Sequence, residues 1–154
     1  MPQKIKSAKI LAFNRSARFH FELLSKFEGG LVLTGPEVKS LKTQSAKLAG
    51  AFLKITKKQE VLLLNLQIAK YRFAQNQPQD PWRPRLVLLK KKEIKNLKRS
   101  LQEKGTTLIP LSLRLKGNLI KLTLATARGK KKFEKRAVLK KRAIEREVAR
   151  QLKN

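Results

Sequence analysis

The chain has 154 residues, of which 41% are hydrophobic, and 38 Lys or Arg against 10 Asp or Glu give a formal net charge of +28. This length fits one domain with a hydrophobic core, which excludes a purely disordered basic tail. The chain contains no cysteine, which excludes a disulfide framework, a thiolate metal site and a thiol nucleophile.

Short strands separated by turns are predicted along the first half of the chain. Gly29 and Gly30 place a bend within one strand, and Pro36 suits the first turn of a helix over 37–44. The predicted strands of this half are residues 9–13, 27–34, 51–56 and 61–68, with a helical turn over 15–20. Residues 70–85 contain three prolines and predict a long loop, which is a segment type that often carries function.

The second half predicts one amphipathic helix and a hairpin. Ile94, Leu97 and Leu101 recur at helical spacing, which predicts a helix over 93–104. Gly105 suits the position just after its end. The remaining apolar or alternating runs are residues 86–89, which fit a strand or a helix entry, 106–115 and 119–127.

The last segment, residues 128–154, differs in composition from the rest. It contains 12 Lys or Arg and three Glu. Ile144, Val148 and Leu152 share one helix face, but this stripe is too thin for a packed core. We therefore expect a basic tail that is disordered in the free protein and folds on binding.

Together these elements predict a mainly β fold with short α-helices. Residues 1–127 are expected to form an OB-like antiparallel β-barrel of about six strands with about three helices, and residues 128–154 the basic tail. No apolar run approaches the length of a membrane span, and residues 1–9 are not followed by the apolar core of a signal peptide. We therefore expect a cytoplasmic monomer.

The charge points to a polyanion as partner. Nucleic acid fits best, because each Lys or Arg that neutralises a phosphate releases a counterion. An acidic membrane is the rival, but the single tryptophan, Trp82, lies in a proline-rich loop and not on an amphipathic helix. His20 has no evident partner for general base chemistry, so we expect no enzymatic activity, no metal and no cofactor.

Several residues have two readings on sequence alone. Glu28 and Glu37 can form internal ion pairs with Lys39 or Arg15, or accept hydrogen bonds from RNA. Arg83 and Arg85 are fixed by neighbouring prolines and are expected to contact phosphate, the alternative being merely solvated charges. Phe133 lies among basic residues, where it can stack on a base or dock on the barrel.

Six segments in order resemble one family, the SsrA-binding proteins, also called small protein B, over nearly the whole length from Ile10. They are NRSAR at 14–18, FEGGL at 27–31, TGPEVKSL at 34–41, DPWRPR at 80–85, QEKGT at 102–106 and ARGKKKFEKR at 127–136. The resemblance implies an OB-type barrel that binds the tRNA-like end of transfer-messenger RNA. It also implies delivery of that RNA to stalled bacterial ribosomes for trans-translation, with the tail helical in the empty mRNA channel near the decoding centre.

The resemblance also assigns site residues. Asn14, Glu28 and Leu88 match family positions tied to RNA binding. The expected barrel contacts are Asn14, Arg15, Arg18, Glu28, Lys39, Lys42, Arg83, Arg85 and Leu88. The expected ribosome contacts of the tail are Gly129, Lys130, Lys131, Phe133, Glu134, Lys135 and Arg136.

The chain departs from the family pattern at a few positions. The histidine usual after Arg18 is displaced to His20, and Gln79 stands where histidine often precedes Asp-Pro. The family role of that first histidine is therefore not transferred to His20. A general OB-fold ribosomal or single-strand RNA-binding protein is the alternative function; it explains the charge but not the order of the motifs.

Overall fold

The computed structural model describes residues 8–44 and 46–153. Most of residues 1–9, on which the expectation of no signal peptide rests, lies outside the described residues. No helix in the described ranges is long and apolar enough to cross a membrane.

The described residues form seven strands and four helices. The strands are β1 (Lys9–Phe13), β2 (Phe21–Leu31), β3 (Phe52–Ile55), β4 (Val61–Leu64), β5 (Arg85–Leu88), β6 (Thr106–Lys116) and β7 (Leu119–Gly129). The helices are α1 (Ala17–His20), α2 (Gly35–Thr43), α3 (Lys91–Leu101) and α4 (Lys132–Leu152).

All seven strands belong to one antiparallel sheet, in the order β1-β6-β7-β2-β5-β4-β3. The three long strands, β6, β7 and β2, are neighbours and have 11 residues each, whereas β3, β4 and β5 have four. The sheet curls enough for β3 to contact β6. Among the described residues, however, no strand pairing joins the edge strands β1 and β3.

The main core lies inside this curl, and a second buried cluster is formed by Ala17, Ile109, Leu111, Ala125 and Ala127. Alternate residues of the strands face it, so Val61 and Leu63 on β4 and Leu122 and Leu124 on β7 are fully buried. Helix α3 adds Leu97, which is also 0% exposed. The amphipathic pattern read from the sequence therefore places the helix correctly against the sheet.

Several predictions are confirmed and others are wrong in detail. The mainly β, antiparallel class is confirmed. Before the tail, the described residues contain three helices, as predicted, and seven strands where about six were predicted, and the sheet is not closed into a barrel. Residues 85–88 are a strand, and β2 begins at Phe21 because its first half pairs with β7. The fourth helix, α4, lies in the predicted tail and has no buried residue among those described.

Candidate RNA interface

Glu37, Arg83 and Arg85 form one ion-pair cluster between α2 and the start of β5, called here the Glu37 cluster. Arg85 Nη2 lies 2.9 Å from Glu37 Oε1, and Arg83 Nη2 lies 2.8 Å from Glu37 Oε2. The Arg85 side chain is 0% exposed, and its other donors reach the backbone carbonyls of Leu66 and Pro81. Arg85 therefore has no exposed surface for the phosphate contact predicted for it, and the sequence did not reveal this because the carboxylate that holds it lies 48 residues away.

Arg83 and Glu37 also have clear roles in this cluster. Arg83 is 38% exposed at its side chain but gives two hydrogen bonds to Glu37. Both ion-pair partners proposed for Glu37 from the sequence, Lys39 and Arg15, are replaced by these loop arginines. Of the two readings of Glu37, the internal ion pair is the one present in the structure.

The electrostatics of the cluster follow from burial and pairing. Burial pushes the pKa of Glu37 upward, but hydrogen bonds from Arg83, Thr34 and Arg85 outweigh it and hold that pKa below its ordinary value of 4.5. Burial lowers the pKa of Arg85, and the Glu37 carboxylate opposes this. A guanidinium remains protonated in proteins, so the pair stays ionised.

A second feature lies on the outer face of strands β2, β5, β6 and β7. It is called here the sheet patch and comprises Glu28, Leu88, Lys116, Leu119 and Lys121. Glu28 and Gly30 project to the same face of β2, and Gly30 pairs with Leu88 of β5 and with Lys121 of β7. Leu88 is 58% exposed and, with Leu119, borders a groove of about 290 Å³. The structure thus brings the predicted residues Glu28 and Leu88 onto adjacent strands.

Glu28 is paired within the sheet patch. Lys116 Nζ lies 2.6 Å from Glu28 Oε1, and both side chains are close to half exposed. An exposed pair of this kind stabilises the fold little. The carboxylate therefore remains accessible to a ligand. Its partner in the structure is Lys116, and not Lys39 or Arg15, the two partners predicted from the sequence.

Gly29 permits the close approach of β5 to β2 beneath this patch. A Cβ atom on Gly29 would lie 2.8 Å from the Leu88 carbonyl oxygen and 2.9 Å from side-chain atoms of Val87 and Leu89. Only glycine fits such an approach without displacing the neighbouring strand. The bend predicted at Gly29-Gly30 is thus a point of strand contact, within the continuous strand β2.

The β1–α1 corner contains three more predicted residues. Asn14 Nδ2 donates to the Pro110 carbonyl at 3.0 Å, and Asn14 Oδ1 accepts from Ser16 Oγ at 3.1 Å. These bonds fix the corner on β6, so Asn14 braces the structure. Arg15 and Arg18 are exposed beside it, so both side chains are accessible to a ligand.

Helix α2 presents two of the predicted basic residues to solvent. Lys39 and Lys42 are exposed, and Lys39 Nζ lies 5.8 Å from the centre of the Tyr71 ring. The opposite side of α2 carries Ser40 and Leu41, which are buried. The helix therefore orients both lysines outward, near the long loop that joins β4 to β5.

The start of the tail is tied to the α1–β2 junction. Lys130 N donates to the His20 carbonyl at 2.9 Å, and Lys130 Nζ donates to the Arg18 carbonyl at 2.7 Å. Lys131 precedes α4, and its backbone N–H donates to Glu134 Oε2 at 2.8 Å, as in a capping box. Glu134 therefore serves the first turn of the helix.

The other tail residues are placed along the first turns of α4. Phe133 is 66% exposed, so it does not dock on the sheet. Its ring is therefore accessible for the stacking role predicted from the sequence. Gly129 ends β7, while Lys135 is half-buried and Arg136 exposed. Later in α4, Arg142 lies 5.7 Å from the ring centre of Phe19, which adds a contact between α4 and α1.

Sequence reasoning missed several members of the sheet patch. Lys116, Leu119 and Lys121 belong to the β6–β7 hairpin, whose alternation predicted one buried and one exposed face. That alternation could have assigned them to the outer face, but only strand order places this face beside Glu28. In the described ranges, no group of three or more His, Cys, Asp or Glu is arranged to hold a metal ion.

These features define a basic, mainly antiparallel β protein with a mixed apolar and charged sheet patch and a cationic helix, the class to which many nucleic-acid-binding domains belong. The family model described as SmpB protein matches residues 11–154. The chain therefore belongs to the SmpB family, as its ordered motifs implied.

Individual relatives agree with this assignment. The SsrA-binding protein of Gloeobacter violaceus is 45% identical over 148 residues, covering 96% of this chain and 97% of the relative. The SsrA-binding protein of Mesoplasma florum is 47% identical, covering 94% and 97%. A solved structure described as "tmRNA-SmpB: a journey to the center of the bacterial ribosome" matches with a TM-score of 0.66 and 38% identity, covering 79% of this chain and 85% of that one.

Proposed function

We propose that this protein binds the tRNA-like domain of transfer-messenger RNA and delivers it to stalled ribosomes for trans-translation, with its tail in the empty mRNA channel. The observation that carries the proposal is the family match over residues 11–154. The curated relatives are named SsrA-binding proteins, and the matching solved structure is described with transfer-messenger RNA and the bacterial ribosome. Family membership thus supplies the partners, and the surfaces of this chain suggest how they are held.

The sheet patch is the surface proposed for the transfer-messenger RNA. It combines exposed apolar side chains, Leu88 and Leu119, with the charged side chains of Glu28, Lys116 and Lys121. Apolar residues suit the faces of unpaired bases, lysines suit phosphates, and a carboxylate accepts hydrogen bonds from base amino groups or ribose hydroxyls. This mixture fits a folded RNA with exposed loops.

The tail is the surface proposed for the ribosome. It carries 12 basic residues in its 27 positions, so its binding should be dominated by phosphate contacts. Helix α4 buries none of its described residues against the sheet, so the core does not need it. A tail of this kind can be disordered in the free protein and helical when RNA neutralises its charge. Amide hydrogen exchange with and without ribosomes tests this point, since equal protection in both states would contradict it.

Binding specificity tests the proposal directly. Affinity for transfer-messenger RNA is measured against an unrelated RNA of equal length, at roughly 150 mM salt where nonspecific binding is weak. We expect the specific RNA to bind at least about tenfold more tightly, because shape and loop contacts add to the phosphate contacts. Equal affinities would refute the proposal and favour a general RNA-binding protein.

Truncation after Gly129 separates the two surfaces. The shortened chain keeps all seven described strands and the sheet patch. It should retain most of its affinity for free transfer-messenger RNA but fail to support peptide tagging on stalled ribosomes. Loss of both properties together would contradict the assignment of two RNAs to two surfaces.

A further inference from the structure

The long loop between β4 and β5 contains an exposed aromatic pair. The rings of Tyr71 and Phe73 meet edge to face, with their centres 5.5 Å apart. Phe73 is 75% exposed, so its ring contributes little to the core. A single exposed aromatic is common on protein surfaces, but this one stands within a built pocket.

The pocket beside these rings has a volume of about 540 Å³. This lies within the range of about 300–1,000 Å³ typical of small-ligand sites. Its remaining lining residues are Lys39, Arg72, Ala74, Gln75, Asn76 and Gln77. The pocket thus combines aromatic rings, side-chain amides and two cations.

Both cations lie against the aromatic rings. Lys39 Nζ is 5.8 Å from the Tyr71 ring centre, and the Arg72 guanidinium carbon is 5.1 Å from the Phe73 ring centre. These separations fall within the range of cation–π interactions, so the charges are held near the rings. A ligand stacked here would meet positive charge at the edge of the ring surface.

Gln79 holds the loop in this shape. Its Oε1 accepts a hydrogen bond from Tyr71 N at 2.6 Å, and its Nε2 donates to the carbonyls of Tyr71 at 3.2 Å and Ala74 at 2.9 Å. At the base of the loop, Ser40 Oγ donates to the Ala69 carbonyl at 2.5 Å. A loop fixed before binding loses less conformational entropy when a ligand enters. The glutamine that departs from the family pattern therefore has a structural role in this chain.

We propose that this pocket binds an unpaired nucleobase of RNA, with the exposed Phe73 ring as its stacking surface. The amides of Gln75, Asn76 and Gln77 offer both donors and acceptors to a base edge. Lys39 and Arg72 lie where they can neutralise the flanking phosphates. Base-paired RNA does not fit this chemistry, because its bases are already stacked and their faces are covered. The inference rests on the proposed RNA binding of this chain and adds a second contact site, separate from the sheet patch.

The test uses the full-length protein with two fluorescent probes, a single-stranded hexauridylate and a fully paired RNA duplex, over a series of salt concentrations. Phe73→Leu should weaken binding of the hexamer by about 5- to 150-fold, the loss expected for one base–aromatic stack. Its salt dependence should not change, since no charge is removed. Arg72→Gln should instead reduce the salt slope by about one phosphate contact.

Matched variants separate stacking from damage to the fold. Phe73→Tyr keeps a ring and should bind the hexamer like the original protein. Phe52 is 41% exposed on β3, outside the loop, so Phe52→Leu is the control and should have no effect. Equal effects of Phe73→Leu and Phe52→Leu, or equal weakening on hexamer and duplex, would overturn the proposal.

Repeating the titration with transfer-messenger RNA and with small-subunit ribosomal RNA shows which RNA supplies the base. A Phe73→Leu loss on either RNA supports the pocket, and a loss on neither overturns it. The hexamer is too short to form a tRNA-like domain, so its result is independent of the specificity test for the proposed function. The original chain could fail the specificity test while Phe73→Leu still weakens binding of the hexamer. That result would support the pocket and refute only the proposed partner.

Discussion

Arg85 Nη2 donates to Glu37 Oε1 at 2.9 Å, which joins β5 to α2 through an arginine with no exposed side-chain surface. Arg85 Nη1 also reaches the Leu66 carbonyl, just after β4, and Nη2 reaches the Pro81 carbonyl in the long loop. One guanidinium therefore fixes a helix, a strand and the loop that carries the base pocket. Loss of this contact should therefore destabilise the helix, the strand and the loop together.

Replacement of Arg85 by alanine should destabilise the protein strongly. The change leaves the Glu37 carboxylate without its buried partner and two backbone carbonyls without donors. Breaking a buried ion pair from one side typically costs about 3–5 kcal/mol. Urea unfolding measures the loss. Arg15→Ala removes an exposed arginine and should change stability by less than about 0.5 kcal/mol; equal losses in both variants would contradict the assigned role of Arg85.

The Glu37 cluster should also make stability depend on pH. Because the folded protein holds the pKa of Glu37 below 4.5, the carboxylate stabilises the fold fully above that pH. The stabilisation is lost as the pH falls through the lower folded pKa. The difference in unfolding free energy between the original chain and Glu37→Gln should therefore be largest near neutral pH and shrink in acid. A difference that stays constant with pH would show that Glu37 acts through packing alone.

Gly29→Ala should separate β5 from β2. The added Cβ would meet the Leu88 backbone oxygen at 2.8 Å, and a backbone atom cannot turn away as a side chain can. Overpacking of this kind costs about 1–3 kcal/mol, measurable by thermal unfolding. Affinity for transfer-messenger RNA should fall as well, since Leu88 belongs to the sheet patch. Gly35→Ala is the control, because no atom lies within 4 Å of its added Cβ; equal melting temperatures for the two variants would exclude the clash.

Phe133→Ala should impair the ribosomal step and leave the fold intact. The ring is 66% exposed, so its removal should change stability by less than about 0.5 kcal/mol. Loss of one stacked aromatic should weaken ribosome engagement by about 1–3 kcal/mol. Peptide tagging on stalled ribosomes and binding of free transfer-messenger RNA are measured side by side. Tagging should fall while free RNA binding persists, and Phe133→Tyr should restore tagging; loss of free RNA binding would place Phe133 on the other surface.

The sequence alone predicted the strands and helices that depend on local residue patterns. Strands β6 and β7 follow from alternating apolar residues around a short turn, and α3 follows from Ile94, Leu97 and Leu101. Family motifs went further, because they pointed to Glu28 and Leu88, which the structure places on neighbouring strands. Both kinds of prediction rest on information contained within short segments.

Features that depend on distant partners were not predictable in this way. The residues around Arg85 suggest an exposed loop arginine, and only the fold brings Glu37 to it from 48 positions away. Similarly, the edge positions of β1 and β3 depend on the path of the whole sheet, so local patterns could not show that the predicted barrel stays open between them. Gln79 appeared as a departure from a pattern, and its hydrogen bonds to Tyr71 and Ala74 appear only when the loop is folded.

The hydrogen bonds from Lys130 to the carbonyls of Arg18 and His20 fix the position at which helix α4 begins. Helix α4 has 21 residues and leaves the sheet from this fixed origin, so at 1.5 Å per residue it measures about 32 Å. In the proposed function, the number of residues in this helix, as well as their charge, would set how far from the transfer-messenger RNA the tail reaches.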